Sequence, residues 1–496
     1  MSNPPFRCFE ALLNAWRGPF HLSQSPSSHI FLTIPPRPQP AGLISMCVLR
    51  QRQTCSLCGF HSRHMTKARR FECEGQDMGF MERLPRLRAA SGELLHLDLM
   101  RFIASVGIVF HHSHEFFVPL AERAAQMERT AGLALFVDLF FIISGYVIAF
   151  VYHDRTGTFG DYATFIQRRI GRLVPLHWLT LAVAIAIWSL FRTVGAAGSH
   201  TPSFAPECIA ETALLMHAYL PCGNGLTFNG VSWSISAEMV MYLAFPLVAL
   251  LGARGGLLLL AAGVAALAAL MTVNLSDYHW SLYGATWTEI PAVLRAAPSF
   301  AIGAALYYNR ALIACVPAPR LILIGATLCS FVAMMNGAPE LVTLVIVYIV
   351  AVAAIAADLQ GAVSPAVRRC APLGQLTYSI YMWHSIIILV LINAIGDKFL
   401  HGRQAATIFL AIVSYVAIGV VGYLSFFYIE TPARRWVDRI DFSGWSRRNR
   451  GLAGAEAAAR DETKNAQPQK APAASSATLE ERIHKSRAAG REASAD

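Results

Sequence analysis

The chain has 496 residues, 55% of them hydrophobic and 15% charged, with a mean hydropathy of +0.44. Soluble domains carry about 25% charged residues, so an ordinary cytosolic enzyme is excluded. The net charge of +10 sits at the ends: residues 1–93 hold 12 Lys/Arg against 6 Asp/Glu, residues 434–496 hold 13 against 9, and the stretch between balances at 16 each. A neutral apolar body with basic ends is a membrane protein whose basicity meets anionic lipid headgroups. Nucleic acid is not an expected partner.

In chain order, residues 1–93 come first. Pro35, Pro36, Pro38 and Pro40 break any helix there, and the segment is expected to be a disordered basic leader, or to precede a start at Met78 or Met81. Cys55, Cys58, His61 and His64 resemble a zinc set, but their spacing is too cramped for a finger and no metal is expected. Ten apolar stretches follow, each long enough for about 30 Å of hydrocarbon: approximately 97–117, 132–152, 173–191, 233–251, 257–274, 292–308, 320–336, 341–358, 375–395 and 406–428. A shorter stretch, 207–221, contains Glu207, Glu211 and His217.

Arginine placement decides between ten spans and eleven. Arg83, Arg86 and Arg88 hold the N-terminus inside, and Arg434, Arg435 and Arg439 hold the C-terminus inside, so the number of spans is even. Leaving out 207–221 puts Arg155, Arg168, Arg169, Arg172, Arg254, Arg310, Arg320, Arg368 and Arg369 inside. Arg123, Arg129, Arg192, Arg295, Lys398 and Arg403 then lie outside. The 192–232 loop is outside too, and its Cys208 and Cys222 are free to form a disulfide where the exterior is oxidising. The expected fold is an all-α polytopic membrane protein of about ten transmembrane helices with both termini cytoplasmic. A membrane domain spans 94–436, and residues 437–496 form a disordered tail.

An ionisable group inside a span costs roughly 2.5–3.5 kcal/mol, which makes each one a functional suspect. On a helix of 100° per residue, Asp98, Arg101, Ser105 and His112 share one stripe of the first span, and His111 and His114 point elsewhere. Asp98–Arg101 also reads as a helix-end ion pair. Asp138 is the costly residue of the second span, where Ser144 and Gly145 suit either a site or close helix packing. Arg169 and Arg172, at i and i+3, suit phosphate as forked, permanently charged donors, and suit inside anchoring equally well. Glu238 in the fourth span and His384 in the ninth complete the set of buried polar residues.

These residues fall in an ordered series: Leu97-Asp98-Leu99-Met100-Arg101 with His112, Phe140-Phe141 with Ser144-Gly145, Arg169 and Arg172 with Pro175, Trp233-Ser234 with Glu238 and Tyr242, Tyr378-Ser379 with Tyr381 and Trp383-His384, and Tyr428-Ile429-Glu430 with Pro432. The series resembles the acyltransferase 3 family over about residues 94–436. Leu99 stands where that family often has glycine, and Ala237-Glu238-Met239 replaces a frequent double-acid stretch. The resemblance implies an O-acyltransferase of the bacterial inner membrane. Its donor substrate is a cytoplasmic acyl-coenzyme A, typically acetyl-coenzyme A, and its acceptor is a hydroxyl of a cell-surface glycan or lipid-linked sugar. No permanently bound cofactor is implied. His112 then serves as general base or transient acyl carrier, with Glu238 orienting it or the sugar. Arg169 and Arg172 hold the coenzyme phosphates, and Asp98, Arg101, Asp138, Ser144 and His384 are structural or pore-lining. The alternative is a secondary transporter or flippase that uses the same buried Asp, Arg, Glu and His for translocation.

Overall fold

The computed structural model describes residues 94–195, 201–220, 228–272, 290–400 and 403–440, together with Pro85 and Leu87. The Cys55–His64 cluster, the starts at Met78 and Met81, Cys222 and the tail from 441 onward lie outside the described residues.

Among the described residues the chain is helical and forms no strand. Ten helices of at least 12 residues stand at the ten apolar stretches: α1 (Leu95–His111), α2 (Phe136–Tyr152), α3 (Phe159–Thr193), α4 (Trp233–Arg254), α5 (Gly256–Thr272), α6 (Ile290–Tyr308), α7 (Pro319–Met335), α8 (Glu340–Leu359), α9 (Thr377–Ile388) and α10 (Gln404–Ser425). Six segments are long and apolar enough to cross a membrane: Ala131–Tyr152, Phe159–Thr193, Gly230–Arg254, Glu340–Leu359, Pro365–Gly396 and Gln404–Asp438. The shorter stretch near residue 207 forms a helix only over Pro206–Ala213. Eight residues rise roughly 12 Å, too little to span. That segment is pinned instead between α3 and α4. His177 Nε2 donates to the Thr212 carbonyl at 2.7 Å, and Ser236 Oγ donates to that of Leu215 at 2.6 Å. Cys208 within it is disulfide-bonded.

Helix α2 is central. Of its apolar window, 78% is buried within the protein, against 28% for the window that includes α10. Its partner is α6, and the glycines explain how closely they approach. A Cβ on Gly145 would lie 2.1 Å from the Phe300 carbonyl oxygen, and one on Gly303 would lie 2.1 Å from that of Ile142. Two helices crossing backbone to backbone is the small-residue packing that lipid favours, since apolar side chains gain nothing by leaving hydrocarbon.

Helix α1 has no side-chain cap of its own. Its cap arrives from α8: Asp358 accepts from the backbone amides of His96 (2.9 Å) and Leu97 (3.1 Å) and lies 2.7 Å from His96 Nδ1. A carboxylate at a helix N-terminus satisfies orphan amides and meets the positive end of the dipole. The end of α10 is remodelled. Residues Phe426–Glu430 form a π-helical turn, which brings Glu430 into the bundle to accept from Ser379 Oγ at 2.9 Å.

Candidate active site

Five helices converge on one cavity of about 80 Å³, and each brings a polar group to it. Arg101 comes from α1, Ser144 from α2, Arg169 and Arg172 from α3, Glu238 and Tyr242 from α4, and Tyr378 and Tyr381 from α9. Local periodicity does most of the aiming. Arg169 and Arg172 are one turn apart, as are Glu238 and Tyr242. Ser144 and Gly145 diverge by about 100°, so the serine faces the cavity while the glycine faces α6. Ser144 thus lines the cavity, and Gly145 packs against α6.

Glu238 Oε1 accepts from Ser144 Oγ at 2.6 Å and from Tyr242 Oη at 2.5 Å. The three guanidiniums are held differently. Arg101 lies 3.6 Å from Asp98, whose side chain is 44% exposed, so that ion pair is loose. Arg169 donates to Tyr152 Oη at 3.2 Å and sits over the rings of Tyr152, Tyr242 and Phe165 at 5.3, 5.7 and 5.9 Å. Its Nε is buried without a partner. Arg172 makes no hydrogen bond or contact ion pair to any side chain among the described residues, yet it lines the cavity. Three guanidiniums face the carboxylate of Glu238 along the wall, with Asp98 loosely paired to Arg101. Forked guanidiniums are the side chains best suited to an anion.

The expected stripe of α1 separates into four environments. Asp98 and Arg101 form the helix-end pair, and Arg101 also reaches the cavity. Ser105 is fully buried, and its hydroxyl bonds the Phe102 carbonyl of its own helix at 2.8 Å. His112 is not on the helix, because α1 ends at His111 and His112 is its cap residue. Helical phase stops applying there, and His112 lies beside His384 of α9 with ring centres 5.3 Å apart. The His112 side chain is exposed.

Phe140 and Tyr381 line the cavity and meet edge-on at 5.9 Å, and Tyr381 lies 5.5 Å from His384, which lies 5.3 Å from His112. Glu238 makes its hydrogen bonds to Ser144 and Tyr242, and no contact joins it to His112 among the described residues. His114 is buried and committed, with Nε2 at 2.5 Å from Thr130 Oγ1 and Nδ1 at 3.0 Å from two backbone carbonyls.

Asp138 lies away from the cavity. Both it and Arg295 are buried, 2.7 Å apart, with Arg295 also donating to the Ala134 carbonyl at 2.9 Å and stacking on Trp233 at 5.4 Å. Arginine placement puts Arg295 on the outer side of the membrane, and there it is 1% exposed, packed between α6 and α2. Sequence reasoning misses this pair and the Asp358 cap, and it quotes Tyr242 without giving it a role. A signal exists for the pair: an arginine inside an apolar stretch.

An all-helical apolar bundle with buried guanidiniums, a carboxylate and imidazoles has the makings of a membrane enzyme. Comparison with known proteins places it among the acyltransferases. The chain belongs to the acyltransferase 3 family, whose acyltransferase domain matches residues 94–430. It is 30% identical over 152 residues to Acyltransferase MdmB of Streptomyces mycarofaciens, a match covering 30% of this chain and 37% of that protein. It is 28% identical over 317 residues to the Exopolysaccharide production protein ExoZ of Rhizobium meliloti, covering 60% of this chain and 89% of that protein. Protein 2 in the picA locus of Rhizobium radiobacter is 30% identical over 159 residues, 29% of this chain and 76% of that one. No solved structure matches.

Proposed function

We infer that the protein is an O-acyltransferase of the bacterial inner membrane. It spans the bilayer ten times with both termini cytoplasmic, and it moves an acetyl group from acetyl-coenzyme A to a hydroxyl of a surface glycan or lipid-linked sugar. One observation carries this reading: Arg101, Arg169 and Arg172 line a single cavity with Glu238 as the only carboxylate of its wall. Coenzyme A presents phosphates, which suit forked guanidiniums, and Arg172 has its donors free. The carbohydrate acceptor is supported by the relative named for exopolysaccharide production. Membership of an acyltransferase family favours acyl transfer over translocation.

In this reading the thioester arm extends from the guanidiniums past Phe140 and Tyr381 toward His112. His112 takes the proton of the acceptor hydroxyl, the oxygen bonds to the thioester carbon, the C–S bond breaks, and the proton passes to the departing thiolate. Ser144 and Tyr242 hold the Glu238 carboxylate in place at the cavity wall.

The test compares three histidines in the purified full chain. His112→Ala should abolish acetate transfer, by about 10²–10⁴-fold, while acetyl-coenzyme A binding survives. His111→Ala and His114→Ala should keep most activity. Transfer that survives in His112→Ala would remove this residue from the chemistry.

A further inference from the structure

His384 lies in the second turn of α9 and is fully buried. Its Nδ1 is 2.6 Å from the carbonyl oxygen of Tyr381. A carbonyl only accepts, so this contact places the proton of the neutral ring on Nδ1 and leaves Nε2 as a bare lone pair. That Nε2 is buried and has no hydrogen-bond partner among the described residues. An unpaired buried acceptor costs about 1–3 kcal/mol, so its retention inside a bundle calls for a partner.

The ring beside it is His112, at 5.3 Å between centres and inclined by 32°. The His112 amide donates to the Ile108 carbonyl at 3.1 Å, and its side chain makes no hydrogen bond among the described residues. Two imidazoles joined by an N–H···N bond of about 2.9 Å have centres roughly 5.2 Å apart, so the observed separation already suits such a bond. The exposed His112 ring has room to turn toward such a bond. His111 is also near His112, at 4.9 Å, but no hydrogen bond fixes its tautomer.

We propose that His384 is the positioning residue of His112: its Nε2 accepts the N–H of His112 and thereby leaves the opposite ring nitrogen of His112 bare to take the acceptor's proton. A neutral imidazole thus fills the orienting place that a carboxylate holds in a serine–histidine–aspartate arrangement. Glu238 does not supply it, since no contact joins it to His112 among the described residues and its Oε1 accepts from Ser144 and Tyr242. The inference rests on His112 being the base.

The experiment uses the full chain in inner-membrane vesicles, radiolabelled acetyl-coenzyme A as donor, and the glycan of those membranes as acceptor. His384→Asn preserves a donor for the Tyr381 carbonyl and removes the Nε2 position. It should lower kcat by about 10–100-fold, the usual cost of losing a histidine's orienting partner, with KM for acetyl-coenzyme A unchanged. His384→Gln carries an amide oxygen to the Nε2 position and should recover part of the loss. Nitrogen NMR of histidine-labelled protein should show a single tautomer for His112 in the wild type and a mixture in His384→Asn. Wild-type kcat in His384→Asn, or an unchanged His112 tautomer, would overturn the proposal. If His112→Ala is inactive while His384→Asn is fully active, only the positioning role fails; if His112→Ala is itself active, the reading of His112 as base fails.

Discussion

Two places in this bundle hold guanidinium and carboxylate inside an apolar protein, and they do opposite things. At the α2–α6 crossing, Asp138 and Arg295 neutralise each other at 2.7 Å with side chains 1% and 0% exposed. At the five-helix cavity, Arg101 has only the loose Asp98 pair, Arg169 only Tyr152 and aromatic rings, and Arg172 no side-chain partner among the described residues. The chemistry of the residues is the same and the insertion cost is similar. A charge whose partner is supplied by the fold is structural, and a charge whose partner is missing waits for a ligand. Ionisable residues in a span are thus informative only once their neighbours are known.

The sharpest way to break this contrast is to remove one member of the closed pair. Asp138→Ala leaves Arg295 buried without its counter-ion and should cost about 3–5 kcal/mol of stability, read as lost folded protein on thermal melting in detergent. Replacing both partners with apolar residues, Asp138→Leu with Arg295→Met, should restore most of that loss. A single variant as stable as wild type would show that the pair is not structural.

The same operation on the open site should behave differently. Arg172→Ala loses no internal hydrogen bond, so melting should be unchanged. Acetyl-coenzyme A binding should weaken roughly 10–150-fold, the worth of one charged hydrogen bond, measured by calorimetry. Arg172→Lys should fall between, because an ammonium lacks the fork. If Arg172→Ala binds the donor like wild type, the guanidiniums serve only as membrane-surface anchors.

Smaller effects separate Ser144 from its neighbour Gly145. Gly145→Ala forces a Cβ against the Phe300 carbonyl and should destabilise the protein by about 1–3 kcal/mol without a specific effect on donor affinity. Ser144→Ala removes one hydrogen bond to Glu238 and should cost about 1 kcal/mol, with Tyr242 still holding the carboxylate. Equal melting profiles for the two variants would mean that the serine, too, is only a packing residue.

Some of this is legible in the amino-acid sequence alone. Long apolar runs have no way to satisfy backbone polar groups in lipid except as helices, so the ten helical segments follow from composition and length. Residue pairs within one turn are equally readable. Arg169 with Arg172 and Glu238 with Tyr242 share a face wherever their helix goes. The motif series from Arg101 to Pro432 is enough to suggest the family, which the domain match over 94–430 shows.

What sequence periodicity does not decide is which helix meets which. The α1 stripe is correct as geometry on a single helix, but its residues face different neighbours: Ser105 meets packed core, Arg101 the cavity, and His112, past the helix end, the ring of His384. Asp138 reads as structural or pore-lining until α6 supplies Arg295, a partner 157 positions away. The Asp358 cap of α1 crosses an even longer separation. The physical reason is common to all three. Backbone hydrogen bonding and side-chain period act within a few residues and are written locally, while the partner of a buried charge is chosen by the close crossing of helices, and only the tertiary structure determines that.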